Sequence, residues 1–121
     1  MDQTVKILVI DDSPMVFKTV TRALEPEGFQ MVGQAFNGKD GLDKINQLKP
    51  DVIILDITMP IMDGIQTAEY LFQKNPASKV IMLSAMGDDE LLNKAKQIGV
   101  KVFLTKPFKP EELVSSVRSL L

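Results

Sequence analysis

Five short apolar runs alternate strictly with five segments of helical periodicity, and this alternation constrains the fold more than any other feature of the chain. The runs span residues 6–10, 31–36, 52–55, 79–83 and 102–104. The first, third and fourth have continuously apolar centres, which is typical of strands buried on both faces of a parallel sheet. The second contains Gly33 and Gln34 and is more polar, which indicates an edge strand.

Each run is followed by a segment whose apolar residues recur at the spacing of one helix face. The stripes are Val16, Val20, Ala23 and Leu24; Leu42, Ile45 and Leu48; Ile65, Ala68, Leu71 and Phe72; Leu91, Leu92, Ala95 and Ile98; and Leu113, Val114, Val117, Leu120 and Leu121. Asp63 is expected to cap the third helix, and Asp88 or Asp89 the fourth. Gly28 and Gly99 lie where the first and fourth helices should end.

This order, βα repeated five times at about 24 residues per unit, predicts an α/β domain with a parallel sheet. A closed eight-stranded barrel needs roughly twice this length. Right-handed crossovers place helices on both faces of an open sheet. We therefore predict a single domain over residues 1–121, a doubly wound five-stranded sheet with two helices on one face and three on the other.

The composition excludes several classes of function. The chain has no His and no Cys, which excludes zinc fingers, Ser-His-Asp or Cys-His catalysis and disulfides. Its charge of 14 − 16 = −2 gives no basic footprint for direct nucleic-acid binding. Apolar runs of at most four residues predict neither a membrane span nor a signal peptide. The expected location is therefore the cytoplasm.

Polar side chains follow four of the five predicted strands. Asp11 and Asp12 follow the first, Asp56 the third, Ser84 the fourth, and Lys106 lies just beyond the fifth. In open α/β sheets, ligands bind at the carboxyl ends of the strands, at the point where the strand order reverses. If the order is 2-1-3-4-5, the first and third strands flank that point, and the three carboxylates lie together.

Each of these residues also has a purely structural interpretation. A lone Asp after a strand often caps the next helix, as does a lone Ser, and Lys106 could simply form an ion pair with Asp56 or Asp11. Converging carboxylates are different, because two charges about 4 Å apart repel by about 4 kcal/mol at an effective dielectric near 20. Such a cluster usually holds a proton or a cation, and Mg²⁺ suits oxygen ligands.

The first strand is not followed by the glycine-rich loop of dinucleotide-binding or P-loop proteins. Nucleotide or flavin binding is therefore not expected. A cation beside a carboxylate, a hydroxyl and a lysine instead suits phosphoryl transfer to the carboxylate.

Five motifs in order resemble those of the receiver domain of bacterial two-component response regulators, most closely the single-domain chemotaxis type. They are Ile-Asp-Asp-Ser at 10–13, Ile-Leu-Asp-Ile-Thr-Met-Pro at 54–60, Met-Asp-Gly at 62–64, Leu-Ser-Ala at 83–85 and Lys-Pro-Phe at 106–108. The resemblance runs from Lys6 to Leu120 and implies a flavodoxin-like sheet of order 2-1-3-4-5.

The resemblance also implies roles for the residues at the strand ends. Asp56 would be the phosphoacceptor and would carry the phosphoryl group as an aspartyl phosphate. Asp11 and Asp12 would hold Mg²⁺ together with Asp56 and the backbone carbonyl of Thr58. Lys106 would pair with Asp56 and then with a phosphoryl oxygen, and the Lys106-Pro107 bond would be cis.

The same resemblance implies roles in switching and in water access for four residues. Ser84 would move to hydrogen-bond a phosphoryl oxygen, and Phe103 would be the aromatic switch residue that follows it. Phe103 lacks the hydroxyl of a tyrosine, so a plain core phenylalanine is the alternative. Thr58 and Met86 would influence how water reaches the phosphoryl group.

The implied function is a phosphorylation-activated signalling switch that turns over no external substrate, and chemotaxis is the pathway that the resemblance favours. A sensor histidine kinase would donate the phosphoryl group, and helix 4, strand 5 and helix 5 would form the face for a downstream protein. The chain would be a monomer or a phosphorylation-dependent dimer, either stand-alone or part of a longer regulator. The alternatives are an unphosphorylated docking module and a Mg²⁺-dependent phosphohydrolase with an Asp nucleophile. The hydrolases typically carry Asp-x-Asp-x-Thr on the first strand, which residues 11–14 do not match.

Overall fold

Parallel strands and α-helices alternate along the chain as the apolar pattern predicts. The computed structural model describes residues 4–121. The strands are β1 (Lys6–Ile10), β2 (Gln30–Ala35), β3 (Val52–Asp56), β4 (Val80–Ser84) and β5 (Val102–Thr105), and the helices are α1 (Pro14–Leu24), α2 (Gly38–Leu48), α3 (Gly64–Lys74), α4 (Asp89–Ile98) and α5 (Pro110–Ser119). Within this part of the chain, no helix has the length and apolar character needed to cross a bilayer.

The five strands form one parallel sheet of order β2-β1-β3-β4-β5, which confirms the predicted flavodoxin-like topology. The central strands β3 and β4 are buried along their whole length, which explains their continuously apolar sequences. Strand β2 is only partly buried and lies at the edge, as its polar residues indicated. Ile10 of β1 pairs with Leu55 of β3, so the residues that follow them lie at the same end of the sheet.

The sheet separates two apolar layers, because successive side chains of a strand point to opposite faces. Helices α2, α3 and α4 cover one face, on which Leu8 and Ile10 of β1 are buried. Helices α1 and α5 cover the other face, together with Ile7 and Val9. The division of helices into three and two is therefore as predicted, and this core fixes the strand ends that carry the polar residues.

The helix ends agree with the sequence at some positions and differ at others. Asp63 caps α3, and its side chain accepts a hydrogen bond from a backbone amide of the first turn at 2.9 Å. The prediction that Asp88 or Asp89 caps α4 is confirmed for the position of Asp88, which nevertheless makes no side-chain hydrogen bond to the helix. Asp88 occupies the cap position, but its carboxylate accepts from the Ala85 amide at 2.7 Å and so fixes the loop after β4. A 3₁₀ turn separates the end of α1 from Gly28.

Candidate functional site

Three carboxylates converge at the carboxyl ends of β1 and β3, as the strand order predicts. Asp11 and Asp12 follow β1, and Asp56 is the last residue of β3. One oxygen from each lies within 4.8 Å of the others. Asp11 is completely buried, Asp56 is 7% exposed and Asp12 faces solvent. The cluster therefore has a buried floor and one open side from which an ion or another molecule can approach.

Lys106 brings a positive charge into this cluster from the end of β5. Its Nζ lies 2.9 Å from Asp11 Oδ2 and 3.4 Å from Asp56 Oδ1. The sequence left either carboxylate open as its partner, and the structure places both in contact with it, with the shorter contact to Asp11. The Lys106-Pro107 peptide bond is cis, as expected. Formally, three carboxylates face one ammonium group, which leaves an excess of negative charge.

The environment of the cluster changes the proton affinities of Asp56 and Lys106. Burial and the nearby charge of Asp11 raise the pKa of Asp56 from 3.8 to about 6, although Lys106 and a backbone hydrogen bond from Thr58 lower it. Burial lowers the pKa of Lys106, but the hydrogen bond and charge of Asp11, together with Asp56, outweigh it and raise that pKa. At neutral pH, Asp56 is therefore mainly a carboxylate and Lys106 an ammonium ion.

Ser84 ends β4, the strand next to that of Asp56, and its side chain is buried. Its hydroxyl donates to the Leu104 carbonyl oxygen at 3.5 Å. That distance is long for an O–H···O hydrogen bond, whose usual range ends near 3.0 Å. Because this bond is weak, the hydroxyl loses little if it turns towards a stronger acceptor.

Two loop residues with expected modulating roles flank the cluster. Thr58 lies two residues beyond Asp56 and is exposed, while Met86 lies two beyond Ser84 and is 89% exposed. Both loops follow the carboxyl ends of central strands, so both residues are on the side of the sheet that carries the carboxylates. Their effect on water access and the role of the Thr58 carbonyl stay predictions.

Phe103 is half-buried in β5 and packs against the apolar layer covered by α2, α3 and α4. The Nζ of Lys96, on α4, lies 5.8 Å from the centre of its ring, which is within the range of a cation–π contact. Phe103 thus joins β5 to α4. This contact was not predictable from the sequence, because Lys96 has the spacing of an ordinary solvent-facing lysine.

Sequence reasoning also missed Gln34, which supports the loop after β1. Its Nε2 donates to the backbone carbonyls of Asp11 and Ser13, both at 3.5 Å. Lys44 of α2 donates to the Gln34 carbonyl at 2.6 Å. The only signal in the sequence was a polar residue near the end of a strand adjacent to β1, which we interpreted as a mark of an edge strand.

The loop after Asp56 is held by two close backbone approaches. A Cβ added to Gly64, the first residue of α3, would overlap the carbonyl oxygen of Asp56 and lie 2.8 Å from the Ile57 Cα. On the other side, the Gly38 amide at the start of α2 donates to the Met62 carbonyl at 3.0 Å. A Cβ at either glycine would lie 2.8 Å or less from neighbouring atoms, so both positions need glycine for space. The two contacts fix the β3–α3 loop against both helices.

Known proteins resemble this chain along most of its length. The family model of the response regulator receiver domain matches residues 7–118. The chemotaxis protein CheY of Thermotoga maritima is 32% identical over 115 residues, which cover 95% of this chain and 96% of that protein. The chain is also 41% identical to a protein-glutamate methylesterase/protein-glutamine glutaminase of Halalkalibacterium halodurans, but spans only 36% of its length.

Solved structures show the same fold. The CheX-CheY-BeF₃-Mg²⁺ complex from Borrelia burgdorferi contains a chain with a TM-score of 0.89 and 31% identity, and the match covers 96% of this chain and 88% of that one. Chemotaxis protein CheY4 of Vibrio cholerae has a TM-score of 0.89 and 28% identity, with coverage of 98% and 100%. Because the family model matches most of the chain, the chain belongs to the response regulator receiver domain family.

Proposed function

We propose that this protein is a phosphorylation-activated signalling switch in which Asp56 accepts a phosphoryl group from the phosphohistidine of a sensor kinase. The observation that carries the proposal is the convergence of three carboxylates and Lys106 at one open edge of the sheet. The receiver family and its chemotaxis relatives support it. Because residues 1–121 contain no histidine, the donor histidine must lie outside them.

The donor set fits Mg²⁺. Asp11, Asp12 and Asp56 offer oxygen atoms within 4.8 Å of one another, and hard divalent cations prefer oxygen ligands. The excess of negative charge over Lys106 favours a divalent cation further. Together with the Thr58 backbone carbonyl, these residues would hold the ion, which when bound would neutralise charge on the phosphoryl oxygens.

Asp56, Lys106 and Ser84 would have different roles in the transfer of the phosphoryl group. An oxygen of the Asp56 carboxylate attacks phosphorus, the phosphorus–nitrogen bond to the donor imidazole breaks, and the bond's electron pair leaves with the imidazole. The product on this chain is an aspartyl phosphate. Lys106 already contacts Asp56 at 3.4 Å and would pair with a phosphoryl oxygen, while the Ser84 hydroxyl would exchange its weak bond to Leu104 for another.

The surroundings of the site suit a protein as phosphodonor. Met15, Ile61 and Met86 are 65%, 79% and 89% exposed, and they belong to α1 or to loops at the carboxyl ends of the strands. Exposed apolar side chains around a polar site are typical of protein–protein contact. A downstream protein would bind the face formed by α4, β5 and α5. On this face, Phe103 of β5 contacts Lys96 of α4.

Acetyl phosphate with Mg²⁺ tests the proposal directly. The intact protein is expected to gain the mass of one phosphoryl group, and Asp56→Asn is expected to gain none because the nucleophile is lost. Asp43→Asn, which changes an exposed carboxylate on α2, is the matched control and should behave like the unchanged protein. Absence of the added mass, or its persistence in Asp56→Asn, would refute the proposal. Sustained release of phosphate from added phosphomonoesters would instead favour a hydrolase.

Isothermal titration tests the cation site. Asp12→Ala is expected to weaken Mg²⁺ binding by about tenfold or more, because one charge contact with the ion is lost. Asp12 is exposed, so this variant should fold normally. Asp43→Ala provides the comparison, and equal affinity in the two variants would reject the assignment of the acidic cluster as the Mg²⁺ site.

Lys106→Met is expected to abolish most phosphoryl uptake and to lower the free energy of unfolding by about 2 kcal/mol in the absence of metal. The variant removes the Lys106 ammonium group, which lies 2.9 Å from the buried Asp11 carboxylate. That carboxylate is then left without a positively charged partner. Uptake is measured by intact mass and stability by urea denaturation. Lys101→Met removes an exposed lysine just before β5. If both variants lost the same stability, the ion pair with Asp11 would not be the cause.

A further inference from the structure

A cleft of about 480 Å³ lies at the end of the sheet opposite the acidic cluster, between the carboxyl ends of α2 and α3. Its volume falls within the range of about 300–1,000 Å³ typical of small-molecule sites. Leu42 and Ile45 of α2, Ile53 of β3 and Leu71 of α3 give it an apolar lining. Nothing in the proposed phosphotransfer uses this cleft.

The charge around the cleft is opposite in sign to that of the chain. Lys49, Lys74 and Lys79 line it, against a single carboxylate, Asp51. None of these lysines lies within 4.0 Å of a carboxylate among residues 4–121. Asp51 is already engaged, because it accepts from the Lys6 backbone amide at 2.8 Å. The cleft therefore concentrates unpaired positive charge in a protein whose net charge is −2.

We propose that this cleft binds a small amphipathic anion, with an aromatic or aliphatic body on the apolar lining and a carboxylate, sulfonate or phosphate towards the lysines. Tyr70 also lines the cleft and is 53% exposed, so its ring is accessible to a flat ligand. A protein partner would need a broader surface, since a specific interface buries about 800 Å² on each side. The proposal is independent of phosphorylation at Asp56.

Lys49 provides a variant that removes charge without adding backbone strain. It ends α2 with a φ of +50°, a left-handed conformation that suits glycine or asparagine better than lysine. Lys49→Asn should therefore fold as well as the unchanged protein. Lys74 is exposed, so Lys74→Gln can be combined with it.

Two related dyes test the proposal. 8-Anilinonaphthalene-1-sulfonate carries the required negative charge, and N-phenyl-1-naphthylamine has the same aromatic body without it. Fluorescence titration is expected to show saturable binding of the sulfonate and clearly weaker binding of the neutral dye. Lys49→Asn combined with Lys74→Gln should weaken sulfonate binding by about three- to tenfold, as expected for two partly exposed charge contacts. Lys18→Gln combined with Lys39→Gln, which changes exposed lysines outside the cleft, should not.

Amide NMR locates the bound dye and separates this site from others. The sulfonate should shift resonances of residues 42–53 and 70–79, and it should do so equally in Asp56→Asn. Shifts confined to other residues, equal affinity for the neutral dye, or unchanged affinity in the double lysine variant of the cleft would each overturn the proposal. Loss of phosphoryl uptake would leave these measurements unaffected, so the two proposals fail separately.

Discussion

Asp56→Asn is expected to raise the free energy of unfolding by about 3 kcal/mol at pH 8 with metal chelated. Burial and the charge of Asp11 raise the pKa of Asp56 from 3.8 to about 6 in the folded protein. The folded state therefore binds this proton more tightly than the unfolded state does. Stability falls as the pH rises from about 4 through 6, and the cost of the ionised carboxylate is complete above that range. Asparagine keeps the shape without the charge.

Urea denaturation at pH 4, 6 and 8 in EDTA measures this effect. The advantage of Asp56→Asn should be largest at pH 8 and should fade towards pH 4, where the carboxyl is protonated in the unchanged protein as well. Lys106 keeps its 2.9 Å contact with Asp11 in the variant, so its charge is still paired. Asp43→Asn, which removes an exposed carboxylate of α2, is the control for the change in net charge. A stability difference that did not change between pH 4 and 8 would contradict the assigned pKa.

Gly64→Ala is expected to lower the free energy of unfolding by about 3 kcal/mol and to reduce phosphoryl uptake at Asp56. The new methyl group would overlap the Asp56 carbonyl oxygen and lie 2.8 Å from the Ile57 Cα. Both neighbours are backbone atoms, so no side chain can turn aside to relieve the overlap. The start of α3 must move away, and it displaces the backbone that carries Asp56, the proposed phosphoacceptor.

The matched control is Gly33→Ala in β2. There the nearest atom to the added methyl group is Leu48 Cδ1 at 3.1 Å, the end of a flexible side chain, and the expected loss is below about 1 kcal/mol. Denaturation curves of the two variants, with phosphoryl uptake measured by intact mass, separate local crowding at Asp56 from a general intolerance of the extra methyl group. Equal losses would reject the close approach at Gly64 as the cause.

The sheet and the acidic cluster were predictable because they depend on repeated patterns. Alternating apolar runs predicted a parallel sheet, and the order 2-1-3-4-5, which the resemblance to the receiver family implied, brings Asp11 and Asp56 to one edge. Contacts that depend on a single side chain were not predictable. Gln34 reaches across a strand to support the β1–α1 loop, and Asp88 bonds to Ala85 instead of its helix. In each case several partners lie within reach of one chain position, and only the packed structure selects among them.

The partners of Lys106 show the same limit at the site itself. The sequence placed the lysine beside the carboxylates but left open which one it would contact. A long flexible side chain reaches Asp11 at 2.9 Å and Asp56 at 3.4 Å, and the choice depends on differences of tenths of an ångström. The conformation of Phe103 against Lys96 likewise depends on how α4 packs on β5.

The two sides of the site differ in how closely they are packed and hydrogen-bonded. Behind Asp56, the β3–α3 loop is wedged between Gly64 and the Gly38–Met62 hydrogen bond. In front of it, the Ser84 hydroxyl is held by one long hydrogen bond of 3.5 Å. Bulk or charge added at Asp56 therefore meets closely packed backbone on the side of α2 and α3, and a weakly bonded hydroxyl on the side of β4. We therefore expect a larger group at Asp56 to displace the Ser84 hydroxyl and its neighbours in β4 and β5 before it displaces α2 and α3.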